Sequence, residues 1–166
     1  DALALMNEKG MSTGALTLPE EEMQGVNTQA ELAIASGVMR RRTAEKCMRE
    51  GVRIIDPSSV YIGADVKLSR DVVIMPNVQL WGNTQVGEGS IIGSGSILTN
   101  AIIGRNVKIT AYAVIENSEL KDDAKVGAFV YIRDGSCLES NAYAGKFVEL
   151  KNSHIGEGSK VPAYAL

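Results

Sequence analysis

The stretch LWGNTQVGEGSIIGSGSILTN, Leu80 to Asn100, decides the fold: Leu80, Val86, Ile92 and Leu98 recur at a spacing of six. Ile62, Leu68 and Ile74 extend the series upstream. Ile103, Ile109, Ile115, Leu120, Val126, Ile132, Leu138, Ala144, Leu150, Ile155 and Val161 extend it downstream. A small or β-branched residue follows four places later in most repeats, as at Val66, Val72, Val78, Thr84, Ser90, Ser96, Val107 and Ala113. Gly often comes directly after the aliphatic residue, as at Gly87, Gly93, Gly104 and Gly127. A period of six with Gly at a fixed offset fits neither a helix nor an alternating strand. It is the pattern of a hexapeptide β-helix. The expected fold is therefore mainly β, a left-handed parallel β-helix of six coils with three short strands per coil.

The exceptions to the period set the register. Labelling successive faces A, B and C from Ile62, the spacing shortens to five at 98→103, 115→120 and 150→155, always at the corner from A to B. Asn100, Asn117 and Asn152 stand two residues after the aliphatic position in each case. Asn tolerates the left-handed backbone conformation that a tight corner demands. On face A the residues just before the core aliphatics include Ile97, Val114 and Tyr131. An outward apolar stripe of that kind predicts a partner surface, best met by copies of the same chain in a closed ring.

Composition narrows the function classes. The 166 residues are 45% hydrophobic and 22% charged with a net charge of −3, which gives no basis for a nucleic-acid or anionic-membrane partner. No apolar run approaches the roughly 20 residues of a membrane span. Cys47 and Cys137 are far apart and belong to no CxxC or Cys/His motif, so they read as free thiols in a reducing cytoplasm rather than as zinc ligands.

Upstream of the repeats, Ala2 to Lys9 predicts a short helix closed by Gly10, and Met11 to Leu18 a strand stopped by Pro19. These pieces cannot bury a core alone. With Asp rather than Met at position 1, a longer enzyme is the expected source. Thr28-Gln29-Ala30-Glu31 fits a capping box and opens a long helix that ends near Gly51. Its apolar stripe is Leu32, Ala35, Met39, Cys47 and Met48, and Arg40-Arg41-Arg42 reads as a solvated face.

Four places carry candidate chemistry. Arg133 and Lys151 follow face-A aliphatics on neighbouring coils, about 5 Å apart by strand spacing. Such a pair needs an anion between its members, either a bound phosphate or a protein carboxylate such as Glu116. His154, the only His, has the chemistry of a general base, yet its outward slot before Ile155 reads as an exposed surface residue. Cys137 is outward with no base in view, and reads as inert. Asn27 is accounted for by the helix start.

Gly25-Val26-Asn27, the Arg-rich helix, Phe129-Val130-Tyr131-Ile132-Arg133, Gly145-Lys146-Phe147-Val148-Glu149-Leu150-Lys151-Asn152-Ser153 and Ile155-Gly156-Glu157-Gly158-Ser159-Lys160-Val161-Pro162 resemble a known family. It is the bacterial bifunctional N-acetylglucosamine-1-phosphate uridyltransferase/glucosamine-1-phosphate acetyltransferases, and the resemblance covers essentially the whole chain. It implies three parts: residues 1–27 as the end of an α/β nucleotidyltransferase domain, 28–51 as a linker helix, and 52–166 as the first coils of the acetyltransferase β-helix. It further implies a homotrimer that acetylates glucosamine-1-phosphate from acetyl-CoA, with UTP and Mg2+ serving the uridyltransferase step to UDP-N-acetylglucosamine. By this likeness Arg133 and Lys151 hold the sugar phosphate and Asn27 is a magnesium ligand. Ala163 stands where the family has its catalytic His, and the family's Gly-rich nucleotide loop and later coils have no counterpart here. The chain alone is thus expected to catalyse neither reaction. The alternative is a non-catalytic β-helix that serves as a trimerisation or interaction module.

Overall fold

The computed structural model describes residues 2–23 and 25–164; Ala165 and Leu166 lie outside them. The described residues separate into two compact units, one up to Val38 and one from Met39 onward.

The first unit is small. Helix α1, Ala2–Glu8, closes on Gly10 at φ 67°. The Gly10 and Met11 N–H groups donate to the Asn7 and Met6 carbonyls, satisfying the orphan acceptors of the last turn. The strand expected at Met11 to Leu18 does not form. An isolated extended segment has no ladder to join, and among the described residues of the first unit there is no strand to offer one. A short helix α2, Glu20–Met23, follows.

Helix α3, Gln29–Arg49, crosses the boundary between the units. Its capping box forms as expected. The Asn27 and Thr28 N–H groups donate to Glu31 Oε2 at 2.7 and 2.8 Å, and the Glu31 N–H to Thr28 Oγ1 at 3.2 Å. These bonds hold the Glu31 carboxyl below its ordinary value, the Asn27 N–H contributing most. The helix ends at Gly51, φ 96°. Its expected apolar stripe is largely exposed at Leu32, Met39 and Met48; Ala44 and Cys47 pack on the core instead. Arg40 does not lie on a solvated face but stacks over the Tyr61 ring, 4.8 Å from its centroid.

From Arg53 onward the chain winds as a parallel β-solenoid of about six turns. Face A is a six-stranded sheet from Tyr61–Ile62 to Glu149–Lys151. Face B is a six-stranded sheet from Lys67–Leu68 to His154–Ile155, and face C has seven strands ending at Lys160–Val161. The seventh strand, Arg53–Ile54, pairs with Val73–Ile74 and is not apparent in the period, because Asp56-Pro57 stretches the next interval to eight. The predicted register holds throughout: Ile62 pairs with Leu80, Ile115 with Ile132, Leu138 with Ile155.

The core aliphatics of the central coils are buried, Leu80, Ile92, Leu98, Ile115, Leu120, Ile132 and Leu138 completely; each contributes about 1.5–3 kcal/mol. Buried hydroxyls at the corners bind the backbone of the next coil. Ser90 Oγ donates to the Gly104 carbonyl at 2.8 Å and accepts from the Val107 N–H at 2.9 Å. Every buried side-chain polar atom among the described residues has a partner.

Each of the three corner types has its own device. Along A to B, Asn100, Asn117 and Asn152 take φ of 50°, 46° and 45°, as their placement predicts. Asn100 Nδ2 donates to Asn117 Oδ1 at 3.2 Å. Along B to C, the left-handed residues are Asp71, Gly89, Asn106, Asp123, Asn141 and Gly158. Along C to A they include four aromatics, Tyr112, Phe129, Phe147 and Tyr164, whose rings stack with centroids 5.2, 5.2 and 5.3 Å apart. A non-Gly residue there costs about 1–2 kcal/mol; an aromatic pair returns about 0.5–1.5 kcal/mol, so stacking offsets much of the strain.

Close approach of coils explains the Gly positions. A Cβ on Gly93 would lie 2.4 Å from the Thr110 carbonyl carbon, backbone that cannot move aside. Gly93→Ala is expected to destabilise the solenoid by about 1–3 kcal/mol. Gly37→Ala, inside α3 with nothing within 4 Å of the new Cβ, should instead stabilise that helix by about 0.5–1 kcal/mol. Urea unfolding of the two variants checks this opposition in sign.

Candidate functional site: a cation pair on the A-to-B edge

Strand Tyr131–Arg133 pairs with Glu149–Lys151 so that Arg133 and Lys151 are direct Cα partners. The sheet thus stacks the two cations that the sequence placed on one edge. Neither Ile132, fully buried, nor Leu150, nearly so, can turn outward, so residues just after them are held at the corner.

Glu149 and Asp134, not Glu116, balance this pair. Arg133 donates to Glu149 Oε1 from Nε at 2.9 Å and from Nη2 at 2.7 Å. Its Nη1 donates to Asp134 Oδ2 at 3.3 Å, and the same oxygen lies 3.9 Å from Lys151 Nζ. Asp134 therefore sits between the two cations, and Glu149 anchors the guanidinium from the next coil. The Glu149 hydrogen bonds raise the Arg133 pKa further above its ordinary value. The guanidinium also lies 5.2 Å from the Tyr131 ring centroid.

Glu116, the expected partner of Arg133, accepts from the Tyr131 hydroxyl at 2.6 Å instead. That bond pushes the Tyr131 phenol above the ordinary tyrosine value. The arrangement leaves the Lys151 ammonium more than half exposed and the Arg133 side chain mostly covered. A buttressed guanidinium beside a free-reaching ammonium can receive a doubly charged oxyanion, the planar fork giving two parallel bonds and the ammonium a point charge. An open groove continues from this edge onto face B, lined by residues including Asn117, Glu119, Gly135 and Ser136.

The other candidates fall elsewhere. Ala163 is an exposed turn residue whose backbone N stacks 2.7 Å from where a Cβ on Gly145 would be. Asn27 is exposed in the first unit with its N–H bound to Glu31. Magnesium takes oxygen ligands in near-octahedral array, usually with a carboxylate among them. Glu31 is committed to two backbone N–H groups, so the residues described around Asn27 do not make up such a site. His154 and Cys137 are not isolated: they are register partners on face B, with Glu139 beside both. Burial and then the Glu139 carboxylate push the Cys137 thiol up.

Asp134, Glu149 and the Cys137–Glu139–His154 grouping are not picked out by the sequence. The available signal for Glu149 is its slot one coil beyond Tyr131, diagonal to Arg133.

Comparison with known proteins bears on the fold and on sequence likeness. Residues 65–100 match the family described as bacterial transferase hexapeptide (six repeats). The bifunctional protein GlmU of Carboxydothermus hydrogenoformans is 42% identical over 163 residues, 98% of this chain and 36% of that protein. GlmU of Clostridium acetobutylicum is 37% identical over 161 residues, 97% of this chain and 35% of its own. The chain is homologous to the bifunctional GlmU proteins. It spans about a third of the length of these relatives. Among solved structures, the acetyltransferase domain of PglB from Neisseria gonorrhoeae aligns with TM-score 0.64 at 16% identity, over 76% of this chain and 63% of that one, a likeness of fold. No helix among the described residues is long and apolar enough to cross a membrane.

The Tyr131–Glu116 bond is directly testable. A raised folded-state pKa stabilises the neutral phenol below the unfolded value and loses that contribution as pH rises through the folded one. In ultraviolet titration the tyrosine absent from Tyr131→Phe should be the late-titrating one, and Glu116→Gln should bring it back toward an ordinary tyrosine.

Proposed function

We propose that these residues form the front coils of a left-handed β-helix acetyltransferase within a GlmU-type enzyme, and that Arg133 and Lys151 hold the phosphate of glucosamine-1-phosphate. The single observation that carries this reading is the register pairing of Arg133 with Lys151, with Asp134 bridging them. In the proposed complex the phosphate takes the place of the Asp134 carboxylate between the cations. Glu149 keeps the guanidinium oriented while the fork engages two phosphate oxygens and Lys151 a third. The sugar amine then attacks the thioester carbonyl of acetyl-CoA. A base must accept the ammonium proton as the new C–N bond forms and the thiolate departs.

Ala163 offers no such base, since a methyl side chain cannot accept a proton. The 166 residues alone are therefore proposed to bind the sugar phosphate without turning it over. The same reading assigns residues 1–27, 28–51 and 52–166 to the end of a uridyltransferase domain, a linker and the acetyltransferase prism. It also supplies UTP, UDP-N-acetylglucosamine and Mg2+ to the intact enzyme's other site, with Asn27 one metal ligand among others that the residues around it here do not provide, and a cytoplasmic homotrimer as the working form. The support is the homology over nearly the whole chain.

A second reading, a non-catalytic β-helix for trimerisation or interaction, is favoured by Ala163 and by exposed apolar side chains on the sheet faces, Ile102 and Tyr143 among them. Calorimetric titration with glucosamine-1-phosphate separates the two. Saturable binding is expected, weakened at least about tenfold in Arg133→Ala, the loss of one charge-assisted pair, with no acetyl transfer in an assay for free coenzyme A thiol. Binding that is absent, or unchanged in Arg133→Ala, overturns the phosphate assignment. Turnover by the chain overturns the role given to Ala163.

A further inference from the structure

On face B, the strand Cys137–Leu138 offers Cys137, the residue just after it offers Glu139, and the next strand, His154–Ile155, offers His154. The Cys137 and Glu139 side chains come together on the outside of the buried Leu138. His154 is the Cα partner of Cys137. The three ligand atoms all lie within 4.8 Å of one another. Cys137 Sγ is 3.6 Å from Glu139 Oε1, and His154 Nε2 is 3.6 Å from that same oxygen.

The Cys137–Glu139 separation is that of a thiol hydrogen bond to the carboxylate, while the His154–Glu139 separation is long for a direct hydrogen bond, and both suit ligands sharing an ion. An N–H···O bond is about 2.7–3.2 Å, so His154 and Glu139 stand apart. A tetrahedral zinc ion holds sulfur at about 2.3 Å and nitrogen or oxygen at about 2.0–2.2 Å, which puts neighbouring ligand atoms about 3.4–3.6 Å from each other. The two distances from Glu139 are close to that requirement, and the third pair, Cys137 and His154, lies within 4.8 Å.

The surroundings favour an ion over a chance encounter. Cys137 and His154 sit on paired strands and Glu139 is tied to the same ladder: the Cys137 N–H donates to the Ser153 carbonyl and the Glu139 N–H to the Ile155 carbonyl, each at 2.9 Å. Rigid elements hold ligand geometry better than loops do. The nearby cation, Lys121, is engaged by Glu119 on its own strand side, which leaves Glu139 to face the thiol and the imidazole. The groove from the A-to-B edge runs up to Cys137, giving a fourth position access to water. A thiolate, an imidazole and a carboxylate form a borderline-soft set that suits zinc and not magnesium or calcium.

We propose that Cys137, Glu139 and His154 form a binding site for a zinc-type divalent transition ion, with three protein ligands and one open position, tying two successive coils together. On binding, the thiol proton passes to solvent as the sulfur–metal bond forms, so the site is stable only with the ion's charge in place.

The test uses the whole chain, reduced with a phosphine, titrated with zinc against a chromophoric chelator and separately loaded with cobalt(II). One equivalent of zinc per chain is expected, and the cobalt form should show an intense thiolate charge-transfer band with tetrahedral visible absorption. Cys137→Ser should abolish the band and weaken zinc binding by more than about 100-fold, beyond the ~10–100-fold loss typical of a supporting residue. His154→Ala changes an exposed side chain and leaves the core intact, and it should weaken binding comparably, with far-ultraviolet circular dichroism unchanged. Cys47→Ser should bind as the parent does. Absence of stoichiometric binding, an octahedral cobalt spectrum, or binding that survives both Cys137→Ser and His154→Ala overturns the proposal.

Discussion

Backbone hydrogen bonds between successive coils, all parallel and in register, place each residue directly over its counterpart one turn away. The Ile97 N–H reaches the Ala113 carbonyl, and the Val114 N–H reaches that of Val130. Everything else follows from this stacking. Like must be compatible with like along three faces and three edges, so aliphatics fill the interior, small residues and hydroxyls line the corners, and no position can be chosen without regard to the coils on either side.

The same constraint generates the chemistry. Stacking Arg133 on Lys151 forces two positive charges together, which is unfavourable unless negative charge is supplied. The protein supplies Glu149 and Asp134 in different ways. Glu149 binds two guanidinium nitrogens and fixes the Arg133 orientation, while Asp134 makes longer contacts to both cations. One carboxylate is thus suited to hold the site in shape, and the other to yield to a better anion. A short loop could not impose this proximity; a ladder with buried residues on both strands does.

Much of this fold is legible in the order of the amino acids. Core positions from Ile62 to Val161, the three faces and the Asn corners follow from spacing alone, because a solenoid repeats its local rule and each repeat confirms the last. The same register puts Arg133 beside Lys151 on one edge, as the structure has them. The failures lie where the rule lapses or where contacts run across coils. Arg53–Ile54 is hidden by an irregular turn at Asp56-Pro57. Met11 to Leu18 has the composition of a strand but no partner. Glu116 is the natural counter-ion of Arg133 by position, yet the Tyr131 hydroxyl claims it. Cys137 and His154 fall in successive outward slots of face B by the same register, but the approach of Glu139 to both is a side-chain contact that no period shows.

The aromatic stack on the C-to-A edge bears on how such a chain changes length over evolution. Tyr112, Phe129, Phe147 and Tyr164 hold left-handed backbone angles that their own chemistry disfavours, and each is supported by the rings next to it. The spacing between rungs already runs 17, 18 and 17 residues, and the odd residue is taken up where the A-to-B corner accepts five or six, so a one-residue change at that corner leaves the stack and the faces in place. Insertion of an entire coil would bring its own rung and leave the others undisturbed. Length along this axis can therefore change in two ways: by whole coils at any level, and by single residues at the A-to-B edge, away from the aromatic ladder.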